Sequence, residues 1–134
     1  MSDINLNVNY DGCNIINANK YPDMQELLCA TDIVITDYSS LMFDFALSKK
    51  PCFLFATDIE RYKNDRNFYF DLIQLPFMVA ETNELLVENI LSFDESIYKG
   101  QLCEFFRNVG MIMDGQASKS VTEVILGIMQ SPKC

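Results

Sequence analysis

The 134-residue sequence contains no histidine. Histidine is the usual general base near neutral pH and the commonest transition-metal ligand, so we expect neither a metal site nor a cofactor, and only limited catalysis by this chain alone. The five cysteines form no C-x-x-C pair, and four of them lie in apolar surroundings that are typical of buried thiols. This pattern indicates a reducing, cytoplasmic setting. The sequence shows no basic and apolar N-terminal segment of the signal-peptide kind, so secretion is not predicted.

Basic residues are also few, since ten Lys and Arg stand against 19 Asp and Glu for a net charge of −9. This charge repels a phosphate backbone, so we expect no nucleic-acid partner. No apolar run approaches the roughly 20 residues of a spanning helix, so we expect a membrane role only through a longer, full-length enzyme. Hydrophobic residues, in contrast, make up 49% of the chain. We predict an irregular lead-in over residues 1–12 and a single domain over residues 13–130.

Strand and helix patterns alternate along the chain. Apolar runs predict short buried strands at 13–16, 33–35 and 52–55 and after Pro76. Amphipathic or capped segments predict helices after Asp23 and over 41–47, 82–92, 95–108 and about 118–129. This alternation predicts an α/β fold, a doubly wound parallel sheet with C-terminal helices, in which the 33–35 strand is covered on both faces. Such sheets bind ligands beyond the carboxyl ends of their strands, so the turns after Ile35 and Phe55 are the places to look for chemistry.

The strongest local pattern is the turn of residues 36–40, which holds Asp37, Ser39 and Ser40. The serine hydroxyls and the free backbone N–H groups at the start of the following helix would fit a phosphate. Asp44 follows Ser40 by four residues, so it lies on the same helix face, where its carboxylate would accept hydrogen bonds from polyol or ribose hydroxyls. Two alternatives remain open: Ser39 merely caps the helix, or Asp44 bonds within its own or a neighbouring turn.

A second turn, Asp114–Ser118, predicts another helix start, with its glycine permitting a tight turn and Ser118 capping the helix. Two helix starts facing one cleft would suit a diphosphate, although an ordinary helix start is the simpler interpretation.

The aromatic segment Phe68–Phe70 would stack a base or line a cleft, or else form part of the core. Arg61 and Arg66 would bind phosphate or pair with neighbouring carboxylates.

A family resemblance is carried by four segments: YPDMQELL (21–28), DIVITDYSSLMFDFAL (32–47), KKPCFLFATDIERYKNDRNFYFD (49–71) and DGQAS (114–118). Together they resemble the CDP-glycerol glycerophosphotransferase family, in the family's order, from about Cys13 to Ile128. That family builds teichoic acids and related polyol-phosphate polymers on the two-domain, B-type glycosyltransferase fold. The resemblance implies that this chain is a C-terminal, donor-binding domain.

By this resemblance, Ser39 and Ser40 would lie near the donor diphosphate, with Asp37 in the same turn, Asp44 would lie near the polyol, and Ser118 would close the pocket. The implied donor is CDP-glycerol. CDP-ribitol or a nucleotide sugar is one alternative, and a non-catalytic interaction module or truncated product is another.

The chain departs from the family pattern in ways that bear on activity. The family's His-containing motif before the first strand, and the proposed base in its N-terminal domain, are both missing. Ser120 stands where the family has an Arg, which weakens a phosphate contact there. The resemblance therefore predicts that this chain binds the donor but does not turn it over by itself. It also predicts an N-terminal domain, or its equivalent, as a partner. For the full-length enzyme it predicts a cytoplasmic location at the inner face of the membrane.

Overall fold

A computed structural model of the chain describes residues 14–59 and 74–130. Its helices are α1 (Met24–Ala30), α2 (Leu41–Ala46), α3 (Asn83–Leu91), α4 (Glu95–Asn108) and α5 (Ala117–Gln130). Its strands are β1 (Val34–Thr36), β2 (Cys52–Phe55) and β3 (Met78–Ala80). The predicted α/β class is confirmed. The lead-in, Cys13, Arg61, Arg66 and the aromatic segment Phe68–Phe70 lie outside the described residues.

The three strands form one parallel sheet in the order β1-β2-β3. Val34 pairs with Cys52 and Phe53 pairs with Met78, which fixes the register of the two ladders. Helix α2 connects β1 to β2. Since parallel strands end at the same edge of a sheet, the turns after all three strands meet at one carboxyl edge.

One face of the sheet packs against α2 and α4. Cys52 and Leu54, alternate residues of β2, are each 1% exposed and share the core with Phe45 of α2 and Leu102 of α4. The buried residues of α4 recur at the spacing of a single helical face: Tyr98, Leu102, Phe105 and Phe106. Most of the buried hydrophobic residues in the described part of the chain belong to this core cluster.

The opposite face of the sheet is covered only in part. Phe53 is buried and its ring lies 5.6 Å from that of Phe93, in an edge-on arrangement. Ile33 and Ile35 are 46% and 50% exposed, so the prediction that this strand is covered on both faces is wrong. The reason is position: β1 is an edge strand of the described sheet, and α3 contacts β2 and β3.

The start of the described chain corrects one local prediction and confirms another. Residues 14–18 form neither helix nor strand and Ile16 is exposed, so the strand predicted at 13–16 is wrong over its described part. Asp23 caps α1 as predicted, accepting hydrogen bonds from the amides of Gln25 and Glu26 at 2.8 and 3.2 Å. The Glu26 carboxylate accepts a hydrogen bond from the Tyr21 hydroxyl at 2.8 Å.

Lys50 serves a different helix from the one it follows. The chain turns sharply after α2 at Lys49, whose φ of 58° is left-handed. The Lys50 Nζ then donates to the carbonyl oxygens of Cys29 and Thr31, at 3.0 and 2.7 Å, where α1 ends. The Tyr98 hydroxyl donates to the carbonyl of Lys50 at 3.1 Å. Lys50 therefore ties together α1, the start of β2 and α4.

Two buried side chains complete the fold. Asn89 of α3 is a buried polar residue, and its amide donates to the carbonyl of Val79 in β3 at 3.2 Å. Burial raises the pKa of the Cys52 thiol to about 12. Cys29 and Cys103 are exposed, which corrects the prediction that they are buried thiols. Among the described helices, none has the length and apolar character needed to cross a membrane.

Candidate functional site

Most of the predicted site residues lie at the carboxyl edge of the sheet. Asp37, Ser39 and Ser40 follow β1, and Asp44 lies one turn into α2. Ser39 is partly buried, whereas Asp37, Ser40 and Asp44 are exposed. One turn and one short helix thus bring these four residues to the edge where ligands of such sheets bind.

Hydrogen bonds within the turn occupy the first amides of α2. The Ser39 Oγ accepts from the amide of Leu41 at 3.3 Å, and the Ser39 carbonyl accepts from that of Met42 at 3.2 Å. The Ser40 carbonyl accepts from the amide of Phe43 at 3.0 Å, and Ser40 makes no side-chain cap. Ser39 therefore holds the first amide of α2, although Ser40 and not Ser39 occupies the N-cap position, and the expected free helix amides are not found. Both hydroxyls keep a hydrogen to donate to an anion, because Ser39 uses its oxygen only as an acceptor here.

Asp44 is available to a ligand. Within residues 14–59 and 74–130, its carboxylate makes no hydrogen bond or ion pair, so the alternative of an internal bond is not found. A free carboxylate accepts hydrogen bonds and repels phosphate, which suits a hydroxyl-bearing part of a ligand.

Tyr38 and Asp58 are the residues that sequence reasoning missed. The Tyr38 hydroxyl donates to Asp58 Oδ1 at 3.1 Å, and its ring packs against the core. Burial, the bond to Asp58 and the nearby charges of Asp58, Glu81 and Asp37 raise the pKa of Tyr38 to about 12. These three carboxylates follow the three strands in turn. The sequence carried one signal for this contact: Tyr38 and Asp58 occupy similar positions after adjacent parallel strands.

Ser118 does not cap the last helix. Helix α5 begins at Ala117, so Ser118 is its second residue, and its carbonyl accepts from the Thr122 hydroxyl at 2.8 Å. The turn before it is held instead by Asp114, whose Oδ1 accepts from the amide of Gln116 at 2.8 Å. In the described part of the chain, no hydrogen bond joins Ser118 to residues 37–44, and every residue of α5 is exposed. Its part in closing a pocket remains a prediction.

An open cavity of about 240 Å³ lies away from this edge. Leu75 and Pro76, which precede β3, line it together with Glu104 and Asn108 of α4. It is therefore near the amino end of β3, where ligands of parallel sheets do not normally bind. No group of three metal-ligating side chains occurs in the segments that the structure covers.

Comparisons with known proteins show the family of this chain. The sequence profile of the family described as CDP-glycerol:poly(glycerophosphate) glycerophosphotransferase matches residues 3–127. The teichoic acid glycerol-phosphate transferase of Staphylococcus aureus is 33% identical over 109 residues, which cover 78% of this chain and 28% of that protein. The teichoic acid poly(ribitol-phosphate) polymerase of Bacillus spizizenii is 34% identical over 107 residues, which cover 79% of this chain and 17% of that protein.

A solved structure shares the fold. It is that of the wall teichoic acid polymerase TagF, in a variant soaked with CDPG, and it superposes with a TM-score of 0.65 at 31% identity. The match covers 86% of this chain and 29% of that one. TagF has the B-type glycosyltransferase fold, so the predicted fold relationship is confirmed. This chain spans less than a third of each of these proteins. It belongs to the CDP-glycerol:poly(glycerophosphate) glycerophosphotransferase family.

Proposed function

We propose that this chain is the donor-binding part of a transferase that moves glycerol phosphate from CDP-glycerol to a teichoic-acid-type polymer. The observation that carries the proposal is the shared turn and helix that present Ser39, Ser40 and Asp44 at the carboxyl edge of a parallel sheet. Membership of the glycerophosphotransferase family supports it, as does the match to a polymerase soaked with CDPG. The donor site belongs to a single domain over residues 13–130.

The charged diphosphate and the uncharged polyol of the donor contact different side chains of this turn and helix. The diphosphate accepts hydrogen bonds from the hydroxyls of Ser39 and Ser40, and Asp44, one turn further along α2, accepts from hydroxyls of the polyol. Ser118 closes the pocket from α5. In the reaction, an acceptor hydroxyl forms a bond to the β-phosphorus while the bond from that phosphorus to the bridging oxygen breaks, and CMP leaves. The hydroxyl proton goes to a base supplied from outside this chain, which has no histidine.

Calorimetry on the full chain with CDP-glycerol and CDP tests the proposal. We expect both to bind, and no detectable binding of either in the millimolar range would contradict a self-sufficient site. Asp44→Ala should weaken CDP-glycerol more than CDP, because CDP lacks the polyol. Glu88→Ala, an exposed carboxylate on α3, is the matched control and should change neither.

Competition experiments choose the donor. The relatives above include both a glycerol-phosphate and a ribitol-phosphate enzyme, so CDP-ribitol is the second candidate. We expect CDP-glycerol to compete best, with CDP-ribitol and UDP-sugars weaker. Stronger competition by CDP-ribitol would reassign the polyol and leave the donor site in place.

An N-terminal domain is the proposed partner of this chain, through the exposed side of α5. Val121, Val124, Ile125 and Ile128 recur at the spacing of one helical face and are 51–71% exposed. An apolar stripe of this kind is typical of a covered surface. The Staphylococcus relative is more than three times as long as its matched part, which leaves room for a domain to cover it. Such a two-domain enzyme would work in the cytoplasm, at the inner face of the membrane.

The size of the chain in solution separates this partner from a second copy. A monomer that binds CDP supports a donor domain that lacks its other half. A dimer that does not bind CDP supports the alternative of a non-catalytic interaction module, with α5 as the contact. Val124→Glu should then return the dimer to a monomer.

A further inference from the structure

We propose that Tyr38 is a positioning residue of the donor site, and that its hydroxyl acts through Asp58. This inference rests on the proposed function, because the turn that Tyr38 would hold in place is the one that presents Ser39 and Ser40 to the donor. Tyr38 itself need not touch the donor. Neither residue was singled out by its sequence pattern alone.

The contact joins two turns that are distant in sequence. Tyr38 follows β1 and Asp58 follows β2, 20 residues later, and their side chains meet at 3.1 Å. Both ends of the contact are anchored in the core. The Tyr38 ring packs against the core, and Ile59, next to Asp58, is one of its members. The hydrogen bond therefore links two fixed points across the carboxyl edge of the sheet.

The Tyr38 hydroxyl lies among negatively charged side chains. Burial is the largest cause of the raised pKa of Tyr38, and the bond to Asp58 adds to it. A tyrosine phenol is protonated at neutral pH in any case, so Tyr38 is the donor and Asp58 Oδ1 the acceptor. Asp37 and Glu81 add negative charge from the turns after β1 and β3. Removing the phenol leaves Asp58 facing other carboxylates without its donor, which favours its movement away from this edge.

The serines respond because they follow Tyr38 directly. The Ser39 Oγ accepts from the amide of Leu41, so the position of Ser39, which follows Tyr38 directly, bears on both the start of α2 and the aim of its own hydroxyl. A rotation of the Tyr38–Ser39 peptide would move the Ser39 and Ser40 side chains together. A hydrogen bond that fixes residue 38 at its far end opposes this rotation.

The test compares Tyr38→Phe with Tyr21→Phe in the full chain. Tyr21 makes the same kind of bond, to Glu26 at 2.8 Å, but lies before α1. The first readout is calorimetry with CDP-glycerol, where we expect about fivefold weaker binding for Tyr38→Phe, the size of one ordinary hydrogen bond. The second is hydrogen exchange of the Leu41 amide in the ligand-free chain, which should become faster. Tyr21→Phe should leave both readouts unchanged.

Variants of Asp58 show whether Tyr38 acts through it. Asp58→Asn keeps an acceptor oxygen and should retain most of the affinity, whereas Asp58→Ala should match Tyr38→Phe. Combining Asp58→Ala with Tyr38→Phe should cost no more than either alone, because both remove the same bond. Full additivity of the two losses would overturn the link between these residues.

The outcomes separate the inference from the proposed function. Unchanged CDP-glycerol binding in Tyr38→Phe overturns the positioning role, whether or not the exchange of Leu41 becomes faster. If the unmodified chain binds neither CDP-glycerol nor CDP, the proposed function fails instead. In that case, faster exchange of the Leu41 amide in Tyr38→Phe would support only the claim that Tyr38 holds the turn in place, and not a role of the turn in binding the donor.

Discussion

Ser39→Ala and Ser40→Ala should separate stability from donor binding, although the two serines are neighbours. The Ser39 Oγ accepts a hydrogen bond from the amide of Leu41 at 3.3 Å and is partly buried. Ser40 is exposed and makes no side-chain cap. Ser39→Ala therefore removes a bond of the folded chain as well as a donor, whereas Ser40→Ala removes only a donor.

The expected magnitudes follow from these contacts. Loss of this hydrogen bond by Ser39→Ala should lower the free energy of unfolding by about 0.5–1.5 kcal/mol. Ser40→Ala should change it by no more than about 0.5 kcal/mol, as for other exposed substitutions. If each hydroxyl donates to a charged diphosphate as proposed, that bond contributes about 1.5–3 kcal/mol, so each variant should weaken CDP binding by a factor of roughly ten or more.

Urea unfolding followed by circular dichroism gives the stabilities, and calorimetry with CDP gives the affinities. Ser96→Ala, an exposed serine in the first turn of α4, is the control and should leave CDP affinity unchanged. The reasoning is refuted if Ser40→Ala lowers stability as much as Ser39→Ala does. It is equally refuted if Ser40→Ala binds CDP as tightly as the unmodified chain.

Three further predictions concern stability. Leu102→Ala should cost about 2–5 kcal/mol in urea unfolding, because Leu102 is fully buried, whereas the exposed Leu91→Ala should cost about 0.5 kcal/mol or less. Lys50→Met keeps most of the side-chain volume but loses two bonds to the end of α1, so unfolding should become easier by about 1–3 kcal/mol and α1 amides should exchange faster. The folded pKa of Cys52 is about 12 against a usual 9.0, so its contribution is fully present below about pH 9 and is lost as pH rises toward 12. Stability measured across that range should therefore fall less steeply in Cys52→Val, and an equal slope would contradict this assignment.

Local periodicity predicted the elements that carry their own pattern. Helix α4 has the predicted bounds of 95–108, because its apolar residues repeat on one face and Asp94 caps its first turn. Strand β2 likewise has the predicted bounds of 52–55, since both of its neighbours are present. The outer face of β1 and the strand predicted at 13–16 failed, because burial there depends on neighbours that sequence periodicity does not specify.

The site was predictable where its residues are adjacent in sequence. Ser39, Ser40 and Asp44 share one turn and one helix, so spacing alone placed them together. The Tyr38–Asp58 contact spans the crossover from β1 to β2, and local spacing cannot predict which side chains meet across it. Occupied amides at the start of α2 were missed for another reason: the turn is tight enough to satisfy them itself.

The buried amide of Asn89 has a consequence for how this sheet associates with other chains. A strand at the border of a sheet exposes carbonyls that recruit foreign strands, which is a common route to aggregation. At β3 the Val79 carbonyl already accepts a hydrogen bond from Asn89 of α3, so this carbonyl is not free to pair with another strand. The β1 border has no comparable guard among the described residues. Strand addition to the described sheet should therefore meet less obstruction at β1 than at β3.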